Sequence, residues 1–292
     1  MSGASTLVAP KAAGASRSSA AQRQHRLYLP GRYGQLHLTI TESANKATAL
    51  PVICLPMSPR SGRDFDEFAL ALADRRRIIA PDVPGFGGSD PPPAPTSIED
   101  YAAAILASLP HLSDRRQPLA RFDVVGQHTG AAIAVAMARQ APARVRRIAT
   151  IGIPLFSTEE RDRLRDLYAR PRPYFEDRTF VGNTWQRDVA AIDSGQPPER
   201  MLLRFTEIMR AGVRSHWGFK AVFDFDMRAA LEQLPTPLLA IVLNENLGAA
   251  SRAAAALVKK GEVVELSDLP GSALDFASGR LAEVCRRYFD QP

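Results

Sequence analysis

The 292-residue chain has only two cysteines, Cys54 and Cys285, far apart and without metal-type spacing. This scarcity offers no disulfide framework and no Cys-based metal site, and predicts two buried thiols in a reducing compartment. Apolar runs long enough to span a bilayer are also missing, so no membrane partner is expected. Acidic residues are absent from positions 1–41, which carry Lys11, Arg17, Arg23, Arg26 and Arg32. These five cations account for most of the formal charge of +6, leaving the rest of the chain nearly balanced. A nucleic-acid binder would carry a basic stripe on its folded face, and none is visible, so nucleic acid is not an expected partner. Histidine is scarce too: there are five, and none follows His216.

What is present divides by pattern. Residues 1–25 are small, Ser/Ala-rich and without periodicity, which predicts a disordered tail. The tail lacks the apolar core of a secretory signal, and a cytoplasmic protein is expected. From residue 26 to 153, short apolar strands (LYLP, QLHLTIT, PVICL, RRIIAP, RFDVVG, RRIATIGI) alternate with helical stretches. Gly31 and Gly34 turn the first two strands into a hairpin, and Ser97 is the expected N-cap of the helix that follows it. Residues 154–225 change to successive helices (TEERDRLRDLYA, NTWQRDVAAID, PERMLLRFTEIMRAG) with no strand-like run. Alternation resumes over 226–292 with PLLAIVL, ASRAAAALVKK, EVVEL and GRLAEVCRRYF. This order predicts an α/β fold: a mostly parallel, doubly wound sheet interrupted by a helical lid over the strand ends where such folds bind ligands.

Three pieces carry a resemblance to the α/β-hydrolase superfamily over nearly the whole chain beyond the tail. RRIIAPDVPGFGGSD is similar to its fourth strand and Pro-Gly loop, with Asp82 supporting that loop. VVGQHTGAA, residues 124–132, is similar to its nucleophile elbow in the required strand-turn-helix context. The helical stretch lies where lids of this family are inserted. Within the superfamily the chain resembles the lidded relatives of epoxide hydrolases, haloalkane dehalogenases and C–C hydrolases.

The resemblance implies a nucleophile, an acid after a late strand, a histidine near the C-terminus and an oxyanion hole. The nucleophile position holds His128, the acid position falls on Asn246 with Glu245 beside it, and the histidine position falls on Gly271. A standard Ser-His-Asp arrangement is therefore not expected. The oxyanion hole is made of backbone: Pro56 has no N–H, but Met57 and Thr129 remain as a donor pair. His128 suits the elbow because histidine enters positive φ more readily than β-branched residues. Neutral imidazole also offers a lone pair near pH 7, and the adjoining helix N-terminus disfavours its positive charge.

Two functions follow. In the first, His128 runs a hydrolase- or lyase-type step on a small, largely apolar molecule, as nucleophile or general base. In the second, a pseudo-hydrolase binds a small ligand or a partner protein. Ser58 and Arg60 beside the oxyanion loop are candidate ligand contacts; Arg60 would pair with a carboxylate or stand as an exposed loop arginine. Asn246 is another, and His216 and Trp217 at the lid exit either face the pocket or pack within the lid. No metal-ligand spacing and no phosphate loop are present, so neither metal nor cofactor is expected.

Overall fold

The computed structural model describes residues 24–112, 119–174, 176–186, 190 and 196–292. The tail expected over 1–25 falls outside the described residues except for Gln24 and His25, which already belong to the first strand.

Eight strands form one sheet in the order β1-β2-β4-β3-β5-β6-β7-β8. They are β1 (Gln24–Gly31), β2 (Gly34–Thr41), β3 (Val52–Leu55), β4 (Ile78–Pro81), β5 (Phe122–Gln127), β6 (Val145–Ile151), β7 (Leu238–Asn244) and β8 (Gly261–Pro270). The first two strands form a hairpin closed at the Gly31–Gly34 pair, and β2 runs antiparallel to β4. All pairs from β4 to β8 are parallel. The central strands β3, β4 and β5 are buried along their whole length, as expected of strands covered on both faces.

Helices α1 (Asp66–Leu72) and α10 (Ser278–Phe289) cover one face. On the other lie α2 (Ile98–Ser108), α3 (Thr129–Gln140), α8 (Met227–Glu232) and α9 (Gly248–Leu257). Each face therefore has its own apolar core, which is the layer arrangement the alternating pattern requires. Ser97 caps α2 by accepting from the Asp100 N–H at 3.0 Å.

Between β6 and β7 come α4 (Thr158–Tyr168), α5 (Phe180–Trp185), α6 (Pro198–Ala211) and α7 (Trp217–Asp224), followed by α8. A reciprocal Ser157–Glu160 capping box starts α4. The expected helices TEERDRLRDLYA and PERMLLRFTEIMRAG coincide with α4 and α6, and NTWQRDVAAID overlaps the end of α5 at Asn183–Trp185. The two short helices α7 and α8 escape a pattern search because each has fewer than nine residues, too few to display helical periodicity.

No helix among the described residues is long and apolar enough to cross a membrane. Cys54 and Cys285 are both fully buried, and burial raises both thiols, Cys285 to about 12.

Candidate active site

The elbow forms because β5 runs directly into α3 with a single residue between them. That residue, His128, has φ +48 and ψ −108, and among the described residues no other non-glycine has positive φ. Its N–H donates to Ile151 O at 3.0 Å, which pins the turn to the end of β6. The flanking glycines are required by close backbone approach. A Cβ on Gly126 would strike the Gly130 carbonyl, and one on Gly130 would strike the Leu55 carbonyl at the end of β3. Thr129 begins α3, and neither its N–H nor that of Met57 donates to any described residue. Backbone contact between Gly130 and Leu55–Pro56 brings these two N–H groups to the same end of the sheet.

The imidazole points across the strand ends to the loop after β7. His128 Nε2 lies 2.9 Å from Glu245 Oε2. The carboxylate can only accept, so Nε2 carries the proton and the lone pair resides on Nδ1. The His128 side chain is 26% exposed and Glu245 11%, so the pair is shielded from bulk water yet reachable. Two glycines make the space. Gly152 has φ +69, and a Cβ there would collide with the His128 ring and lie 2.5 Å from Glu245 Oε1. A Cβ on Gly271 would lie 2.7 Å from Glu245 Oε2. The carboxylate thus occupies ground that a side chain at 271 would otherwise take.

This corrects one sequence assignment. Asn246 is exposed, and its neighbour Glu245 makes the contact with His128. The loop folds back on itself through Glu245 N–H to Leu243 O and Gly248 N–H to Glu245 O, and this turn sets which side chain faces inward. The available signal was chemical: of the two candidates only Glu245 is an acid.

A cavity of about 490 Å³ lies between the β3–α1 loop and the helical stretch. Met57, Ser58 and Arg60 form its core side, and Tyr168, Tyr174 and Phe219 form much of the other. Ser58 is buried against Gly218, and its Oγ has no hydrogen-bond partner among the described residues. Arg60 is not an exposed loop arginine: its side chain is 17% exposed and pairs loosely with Asp64 at 3.4 Å. The aromatic wall was not anticipated, because α4 and α5 face the cavity only once the chain has folded over the sheet. His216 and Trp217 do not line this cavity; their neighbours Ser215 and Phe219 do. His216 is buried with Nδ1 unpartnered, and burial holds its imidazole below the ordinary range. Trp217 packs against the main core.

Asp82 supports the Pro-Gly loop as expected. It accepts from the N–H groups of Gly88 at 2.6 Å and Gly62 at 2.7 Å, and holds His37 Nδ1 at 2.8 Å.

A family model for the alpha/beta hydrolase fold matches residues 51–199, just over half of the chain. The protein belongs to the α/β-hydrolase fold family. A curated relative, a 2-hydroxymuconate semialdehyde hydrolase from Pseudomonas sp. (strain CF600), is 29% identical over 157 residues. That match covers 52% of this chain and 50% of the relative, so the chain spans about half the length of the curated relative it matches. Among solved structures, a bromoperoxidase from Bacillus anthracis superposes with a TM-score of 0.74 at 16% identity, covering 91% of this chain and 100% of that one. A hydrolase from Pseudomonas aeruginosa PA01 gives 0.69 at 20% identity, covering 91% and 98%. At these identities the structural likeness establishes the fold and nothing finer.

Proposed function

We propose that this α/β-hydrolase-fold protein is an enzyme in which His128, oriented by Glu245, acts as general base on a small, largely apolar molecule. The 2.9 Å contact between Nε2 and the Glu245 carboxylate carries this reading. It fixes the tautomer with Nδ1 as the basic atom, and the carboxylate stabilises the imidazolium that forms on proton transfer. Strain at His128 supports the same conclusion, since a side chain held at positive φ persists where surrounding structure enforces it.

In the hydrolytic form of the step, Nδ1 removes a proton from water and the resulting hydroxide adds to a substrate carbonyl carbon. The carbonyl oxygen becomes an oxyanion accepting from the Met57 and Thr129 N–H groups. As the intermediate collapses, the bond to the leaving group breaks and that group takes the proton back from the imidazolium. Ser58 and Arg60 orient the substrate, Arg60 by pairing with a carboxylate. Relatives named as a semialdehyde hydrolase and as esterases support a hydrolytic step.

A second reading is a non-catalytic ligand binder. It is favoured by one observation: the described lining of the 490 Å³ cavity includes Met57 and Ser58 but not His128. Turnover of a panel of activated esters by wild type, His128→Ala and Glu245→Gln separates the two. General-base catalysis predicts a loss of roughly 10²–10⁴-fold in His128→Ala and a smaller loss in Glu245→Gln. Equal rates in wild type and His128→Ala would sink the catalytic reading and leave the binder.

A further inference from the structure

A second cavity, of about 290 Å³, opens where the helical stretch between β6 and β7 leaves the core and where it returns. Leu155 and Thr158 belong to the outgoing connection and Phe225 and Met227 to the returning one; Arg161, Arg228, Asp224 and Asp226 form the charged part of the wall. Leu155, Phe225 and Met227 are buried, which gives the cavity an apolar floor. The Arg161 guanidinium has no ion-pair partner among the described residues, and its Nε is buried without a hydrogen-bond acceptor. Arg228 is exposed and approaches Glu232 only to 3.9 Å.

The nearby carboxylates are already engaged. Asp224 is held by Lys220 at 2.5 Å and Arg165 at 3.2 Å. Asp226 caps α8 by accepting from the Ala229 N–H at 3.1 Å. The unmet electrostatic demand in this cavity is therefore for an anion, and the floor calls for an apolar body attached to it.

We infer that this cavity is a second ligand site, separate from the His128 centre, which takes a small carboxylate with an apolar body of about benzoate size. The carboxylate accepts from the Arg161 guanidinium, and Arg228 closes over it from the solvent side. Both connections of the helical stretch form the wall, so a bound ligand stabilises the described path of the chain at its exit and its return.

The test is calorimetric titration of the full chain with benzoate, paired with hydrogen exchange over 154–158 and 225–228. The expected result is saturable one-to-one binding that slows exchange in both segments. Arg161→Gln should weaken it roughly tenfold or more, and the exposed Arg228→Gln by less. Arg60→Gln, in the other cavity, should leave it unchanged, which separates this site from the one proposed for substrate. Absence of saturable binding by wild type, or equal affinity in wild type and Arg161→Gln, would overturn the inference. Loss of binding in Arg60→Gln alone would do the same by placing the ligand in the first cavity.

Discussion

His128 combines two demands that one residue rarely meets: a backbone at φ +48 and a side chain that reaches a carboxylate across the strand ends. Glycine at 152 and 271 permits the second, since either Cβ would press on the imidazole or on Glu245. The same geometry shows how the pair relates to a serine triad. Gly271→His alone forces a side chain against Glu245 Oε2 while His128 still holds it, and should lower stability without creating activity. Combining it with His128→Ser frees Glu245 to accept from the new imidazole, giving serine, acid and histidine in the chain order of the family. The expected outcome is covalent labelling of the double variant by a fluorophosphonate, with no labelling of wild type or either single variant. Labelling of none would mean that Gly271 does not stand where the family's histidine stands.

At the scale of elements, α6 is tied to the core by buried charge. Arg200 Nε donates to Asp275 Oδ1 at 3.0 Å and its terminal nitrogens donate to the carbonyls of Arg63 and Asp64. Arg204, from the next turn of α6, pairs with the same Asp275 and donates to Gln196 at 2.5 Å. Asp275 is only 2% exposed and serves two guanidinium groups, so neutralising it leaves buried cations without their counter-charge. Asp275→Asn should therefore cost about 3–5 kcal/mol, the range for breaking a buried pair from one side. The denaturant midpoint measures the loss, and limited proteolysis should show earlier cleavage around α6 than elsewhere. A midpoint within experimental error of wild type would mean that α6 is held by its apolar contacts instead.

For the whole molecule, the dependence of stability on pH contains a readable contribution from His216. Burial holds its imidazole below the ordinary value of 6.5, helped by the cations of Arg172 and Lys220 and opposed by a hydrogen bond to the Val213 backbone. The unfolded chain takes up a proton near pH 6.5 while the folded protein resists it. The unfolded state then binds more protons, so stability falls as pH drops below about 6.5. His216→Gln should flatten that slope, and denaturant midpoints of both proteins between pH 7.5 and about 5 measure it. Parallel curves would mean that His216 titrates alike in the two states.

The sequence by itself determined the alternation of strands and helices around a helical stretch, the elbow at His128, and the absence of any histidine after His216. These are local or countable properties: strand burial, the glycine pair at 126 and 130, and composition. Even Asp82 was legible, because a carboxylate directly after a buried strand has loop N–H groups within reach. Only the tertiary structure decided that Glu245 rather than Asn246 meets His128, since one loop turn exchanges which neighbouring side chain faces inward. It also decided that Ser215 and Phe219, not His216 and Trp217, face the larger cavity. On a short helix the inward direction is set by packing against distant elements, and the sequence of that helix carries no record of where those elements lie.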